Sequence, residues 1–298
     1  MDQDIRYLAA KKRVDDRSLN PHVWDSVWKP FHGQPVRVLE LGAGIGTMVE
    51  RVLEHSGVPT LEYTAVDLNP TLLEEAVRRL AAWGDSHHFS VTLSAGTLRM
   101  ASNDQSLTLH TLPADVRQPL PDQLEAQFDV VMANALLDLV DLRTVLPRLL
   151  TRVNQGGVFY FSINFDGVTI FEPEFDPAID NAVMQSYHRS MDERRLDGLP
   201  AGHSQTGRRL LALLPSMGAD ILAAGPSDWI VHPTGATYQP DERVFLGLIL
   251  DMIEQALRNA DDLDPDDLSH WLAARRRQLA EGTLILLTHQ VDVCGRII

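Results

Sequence analysis

The hydrophobic pattern along the chain alternates between two kinds of segment. Short runs of β-branched and aliphatic residues, such as Val36, Val38, Leu39 and Leu41, read as strands buried on both faces. Between them, apolar residues recur three or four positions apart, the mark of helices packed by one side. Strands are predicted at residues 36–41, 61–67, 128–133, 158–165, 219–231 and 283–288. Residues 89–112 alternate less regularly and read as two strands about a turn at Asn103 and Asp104. Helices are predicted at residues 5–14, 47–55, 142–153, 207–217, 241–259 and 265–280. Two more carry start signals. Asn20 caps a helix with Pro21 at its first position and a Val23, Trp24, Val27, Trp28 stripe. Asn69 and Pro70 open another with Leu72, Leu73, Val77 and Leu80 on one face and Gly84 at its close. Trp24 and Trp28 are expected in the core.

Strands alternating with helices between residues 36 and 165 predict an α/β fold, a doubly wound and mainly parallel sheet. Residues 166–206 break that rhythm with mixed charge, proline and aromatics, and are expected to form an inserted lid. Residues 1–32 are expected to form a helical cap across the mouth of a site, within a single domain spanning residues 1–298. The acidic run at residues 261–267 reads as a solvated helix start.

Charge narrows the partners. A net charge of −15 argues against sequence-independent binding to nucleic acid and against anionic membrane surfaces. Cys294 is the only cysteine, so no intrachain disulfide is possible and a reducing, cytoplasmic setting is expected. Residues 1–14 lack an apolar signal core, and no apolar run approaches a membrane span. Lys11, Lys12 and Lys29 are the only lysines, which leaves the body of the chain none for a Schiff base or a P-loop.

The first strand runs into Gly42, Gly44 and Gly46 and then into a helix. Such a turn exposes bare backbone N–H groups against which a ligand can lie. Glu40 stands at the end of the strand, where its charge disfavours a phosphate and favours a cationic amino group. The loop therefore suits a nucleoside that carries an amino acid.

These residues resemble the class I S-adenosylmethionine-dependent methyltransferases. The stretch from Glu40 through Gly42, Ala43 and Gly44 to Gly46 looks like the first motif of that family. The resemblance implies a Rossmann-like, seven-stranded sheet and S-adenosylmethionine as cofactor, with S-adenosylhomocysteine as product. It also implies that Asp67 accepts from the ribose hydroxyls beside Leu68, a role open to a carboxylate facing a vicinal diol. Asp115 and Val116 would flank the adenine, and Asn134 would meet the methionine portion. All of these positions lie at carboxyl ends of strands, where open α/β sheets bind ligands.

Methyl transfer from a sulfonium needs alignment, and a base where the nucleophile is protonated. His188 is the expected base, with Asp192 or Asp138 orienting it. Tyr187, Arg189, Asn164, Trp229 and Tyr238 are expected to line the substrate pocket, and Arg194 and Arg195 are further guanidinium candidates for a substrate carboxylate. His289 reads as a core histidine. No His or Cys recurs at metal-ligand spacing, so no metal is expected. The leading expectation is methylation of an oxygen or nitrogen on a small metabolite. A nicotinamide oxidoreductase and a non-catalytic cofactor-binding module are the rivals, although the former would want Gly-x-Gly-x-x-Gly. Oligomeric state is not legible, a homodimer being compatible with the sequence.

Overall fold

The computed structural model describes residues 3–94, 96–121, 124 and 127–297. Two helices lead in, α1 (Gln3–Ser18) and α2 (Pro21–Trp28). The first half of the sheet follows as β1 (Pro35–Leu41), α3 (Thr47–His55), β2 (Thr60–Asp67), α4 (Pro70–Ser86), β3 (Ser90–Ser94), β4 (Thr97–Ala101) and β5 (Ser106–Pro113). Next come β6 (Phe128–Asn134), a 3₁₀ turn at Leu137–Leu139, α5 (Leu142–Leu150) and β7 (Val153–Glu172). The chain continues through α6 (Pro177–Asp192), the short pair β8 (Arg195–Leu196) and β9 (Leu199–Pro200), and α7 (Thr206–Ser216). It ends with β10 (Ala219–Pro226), β11 (Trp229–Val231), α8 (Pro240–Leu257), α9 (Pro265–Glu281) and β12 (Ile285–Ile297).

The main sheet runs β10-β12-β7-β6-β1-β2-β5-β4-β3, with β11 paired to β12. From β7 to β5 all neighbours are parallel, and β12 and β10 close that end antiparallel. These seven strands are the expected doubly wound sheet. The irregular stretch before β5 departs from its expectation: it holds two edge strands besides β5, an antiparallel β3–β4 hairpin that widens the sheet. The turn between them includes Ala95, which lies outside the described residues. The segment expected as one strand at residues 219–231 is split into β10 and β11, which pair with different stretches of β12. β7 also outruns the end expected at residue 165, so the first residues expected as lid extend the sheet and α6 starts only at Pro177.

One core lies under α2, α3 and α4, with Trp28 wholly buried in it. A second lies under α5 and α7. The third belongs to the far halves of β7 and β12, covered by α8 and α9 around Phe245 and Trp271.

The second half of β7 is aimed by one residue. Ile163 has a φ of 55°, a left-handed conformation that β-branched side chains rarely adopt. Its amide donates to Asp292 Oδ1 at 2.7 Å, and the same carboxylate accepts the Asn20 amide at 2.9 Å. Burial pushes the Asp292 carboxyl up to about 6. This kink comes just past the last parallel partner on β6, where Asn134 faces Ser162.

α1 is fastened by buried charge. Asp15 accepts from Lys11 at 2.5 Å and from the Trp229 indole at 3.0 Å, with Arg51 at 3.7 Å. Removing one member of a buried ion cluster leaves the others uncompensated, so Asp15→Ala is expected to cost about 3–5 kcal/mol. The surface pair of Arg296 with Asp220 is the control: Arg296→Ala should cost under ~1 kcal/mol. Urea unfolding of both variants checks the contrast.

Candidate active site

The cavity opens at the carboxyl ends of β1, β2 and β6, over the kink of β7, and has a volume of about 390 Å³. Its first wall is the loop after β1. Gly42 and Gly44 have φ of 69° and 53°, and a Cβ on Gly42 would meet the Leu136 side chain at 2.9 Å. The loop is therefore confined to glycine and shows bare backbone to the cavity. Asp67 holds it in place: Oδ2 accepts the Gly44 amide at 2.9 Å, and Oδ1 accepts the Asn69 amide at 2.9 Å. Each oxygen keeps capacity to accept a further hydrogen bond, and the residue lines the cavity.

Glu40 is buried at the base of this wall and accepts the Tyr63 hydroxyl at 2.8 Å. Burial raises its carboxyl to about 8, against the pull of that hydrogen bond. Asn134 is oriented through its Oδ1, which accepts the Ser162 hydroxyl at 2.8 Å. Glu40, Gly42, Ala43, Gly44, Asp67 and Asn134 thus share one wall. Gly46 does not reach it; it caps α3 and packs against Ala76 and Leu80 of α4. Leu68, Asp115 and Val116 are outside the cavity lining as well. Their turn adjoins Asp67, since the Ala114 amide donates to the Asp67 carbonyl. The Asp115 carboxylate is gripped by Arg117, which holds it below the usual carboxylate range and also reaches Asp197 between β8 and β9.

The opposite wall is apolar, built from Ile163, Phe165, Ile249, Met252 and Leu286. Asp138, on the 3₁₀ turn after β6, lines it, and its Oδ1 is buried without a partner. Burial pushes this carboxyl up; nearby Lys11 and Arg194 pull less strongly the other way. Tyr187 also lines the cavity, its hydroxyl pushed up to about 12 by burial. Trp229 completes the set of expected substrate residues found here.

The remaining expectations need correction. His188 is not in the cavity wall: its Nε2 lies 3.2 Å from Thr169 Oγ1 and its ring packs on Phe165, both of which intervene. Burial holds its imidazole below the usual value. Asp192 does not bond to His188; it accepts from the Ser204 amide and hydroxyl and pairs with His203. Arg189 turns away to Asp262 at 2.5 Å. Asn164 is buried in the sheet and donates to the Val291 carbonyl, and Tyr238 donates to the Leu284 carbonyl. His289 is only partly buried and bonds to Asp228 at 2.8 Å.

Tyr7, Lys11 and Asp15 of α1 line the cavity and were not among the expected site residues. Their four-residue spacing was the available signal. Thr288 and Gln290 of β12 also line it, and each has a buried oxygen with no partner. Polar residues at alternate positions of an otherwise apolar strand marked them.

Residues 39–159 match the family model of a methyltransferase domain. No curated protein matches the sequence. A S-adenosylmethionine-dependent methyltransferase from Thiobacillus denitrificans, solved with S-adenosylhomocysteine, is 14% identical, with 96% of this chain and 97% of that one covered at a TM-score of 0.47. YjhP from E. coli is 12% identical, with 98% and 99% covered and a TM-score of 0.47. A geranyl diphosphate methyltransferase solved with S-adenosylmethionine is 10% identical, with 95% and 85% covered and a TM-score of 0.46. The matched stretch includes Glu40, the glycine loop, Asp67 and Asn134 of the cavity wall. The domain match makes the protein an enzyme of methyl transfer.

The residues present would suit S-adenosylmethionine, the cofactor that the sequence resemblance implies. Bare backbone at Gly42 and Gly44 admits the nucleoside, Asp67 would hold the ribose, and Glu40 with Asn134 would meet the amino-acid end. Asp67→Ala is expected to weaken cofactor binding roughly a hundredfold or more, since charge-assisted bonds and the pinned loop are lost together. Titration calorimetry reads this directly. Glu40, raised to about 8, is largely protonated at neutral pH, and a cationic cofactor beside it favours the carboxylate. Binding should therefore release protons near neutrality and tighten as pH climbs toward about 8. Calorimetry in buffers of different ionisation heat should show that release in the wild type and not in Glu40→Gln.

Proposed function

We propose that the enzyme methylates an oxygen or nitrogen of a small, largely apolar metabolite, with Asp138 as general base. The supporting observation is the buried, partnerless Oδ1 of Asp138 in the wall of the cavity that also shows the glycine loop. S-adenosylmethionine supplies a methyl group whose bond to sulfur breaks, with its electron pair, as the acceptor's lone pair forms the new bond to carbon. The chain's own part is to orient the acceptor, exclude water and receive its proton. A carboxyl raised by burial is better matched to that proton than an ordinary one. The apolar wall of Ile163, Phe165, Ile249, Met252 and Leu286 supports an acceptor with hydrocarbon surface. We read α6 and the β8–β9 pair as the lid on this side, because Tyr187, Met191 and Arg194 line the cavity from this segment. The net charge of −15 favours a small acceptor over nucleic acid. No helix among the described residues is long and apolar enough to cross a membrane.

A screen of metabolite extracts for a gain of one methyl group identifies the acceptor. With it, Asp138→Asn should lower kcat roughly 10²–10⁴-fold and leave cofactor affinity intact. His188→Ala, one layer behind the wall, should lower kcat far less. The reverse ranking would overturn Asp138 as the base.

A further inference from the structure

The charges around the cavity are nearly all matched within the protein. Lys11 is paired with Asp15 at 2.5 Å, and Asp15 also receives the Trp229 indole. Glu40 takes the Tyr63 hydroxyl, and Asp67 takes two backbone amides. Arg194 is different. It lines the cavity, yet among the described residues its guanidinium has no hydrogen-bond or ion-pair partner; Asp138 and Tyr187 feel its charge without bonding to it.

Its position is built. Tyr187 and Met191 lie one turn apart on α6, Arg194 follows two residues past the end of the helix, and all three line the cavity. The backbone is held on both sides, the Arg194 amide donating to the Met191 carbonyl and the Ala201 amide donating to the Arg194 carbonyl. The neighbouring arginines do not compete: Arg189 is paired with Asp262, and Arg195 is exposed and outside the lining. A half-buried guanidinium facing an apolar cavity is costly to leave without an anion, and its planar fork suits a carboxylate in two bonds.

We propose that Arg194 selects the acceptor: the substrate of the methyl-transfer reading is a carboxylate with an apolar body. The carboxylate lies on the guanidinium at the end of α6, and the hydrocarbon lies against Ile163, Phe165, Ile249, Met252 and Leu286. The nucleophilic atom then falls beside Asp138. This inference rests on the proposed small-molecule reading and adds the charge of the substrate to it.

Decanoate and its uncharged analogue decanamide test the anchor by titration calorimetry on the full chain, with and without saturating S-adenosylhomocysteine. Decanoate should bind about tenfold or more tightly than decanamide. Arg194→Gln should abolish that preference, Arg194→Lys should keep part of it, and Arg189→Gln should leave it whole. Equal binding of the two probes, or an undiminished preference in Arg194→Gln, overturns the proposal. The cofactor-free titration keeps the two readings apart. Failure of S-adenosylhomocysteine to bind counts against the methyl-transfer site, and the ratio between the probes still decides Arg194.

Discussion

The bond from the Ile163 amide to Asp292 is the constraint on which the rest of the site depends. A parallel strand that simply ended at Ser162, beside Asn134, would leave the cofactor wall and no room for an acceptor. At Ile163, in a left-handed conformation, the register of β7 on β12 shifts, and β7 runs on antiparallel to β12 beyond the last partner on β6. That extension brings Phe165 and Thr169 from β7, and Leu286, Thr288 and Gln290 from β12, to one surface. The strain at Ile163 is held by a carboxylate that is itself buried and tied to the start of α2 through the Asn20 amide. Helix packing at the N-terminus and strand geometry at the site are thus coupled through a single side chain.

The two walls divide the chemistry. On one side the contacts are backbone and carboxylate, rigid and set by Asp67 on the glycine loop. On the other they are hydrocarbon, with a few polar atoms left unpaired. This arrangement suits a reaction in which the leaving group is already activated and the protein's task is to align and desolvate the nucleophile. It also explains why the two walls differ in how readily they can be read.

The cofactor wall was legible because its chemistry is local. A strand, three glycines and an acid at the end of the next strand lie within some thirty positions of one another, and glycine at a positive φ cannot be replaced without penalty. The acceptor wall was legible only in part: Asp138, Tyr187 and Trp229 were expected at the site, whereas Thr288 and Gln290 join them through the β7–β12 pairing, which no short-range pattern encodes. His188 illustrates the point. Its sequence context placed it on the right helix, but the face toward the cavity belongs to Tyr187 and Met191, and His188 falls one position off it. Lys11 was placed on a cap across the mouth of the site, but its own burial there rests on the long-range contact of α1 with Trp229.

The lysine distribution has a practical consequence. All primary side-chain amines occur in the opening 29 residues, with Lys29 exposed, Lys12 half-buried and Lys11 enclosed against the Trp229 ring. Amine-reactive dyes, crosslinkers and surface tethers therefore address only this end of the molecule and leave the sheet and both long C-terminal helices unlabelled. Within that small set, the reactivity of Lys11 relative to Lys12 reports whether the leading helix is seated, which turns routine acylation footprinting into a gauge of cavity closure.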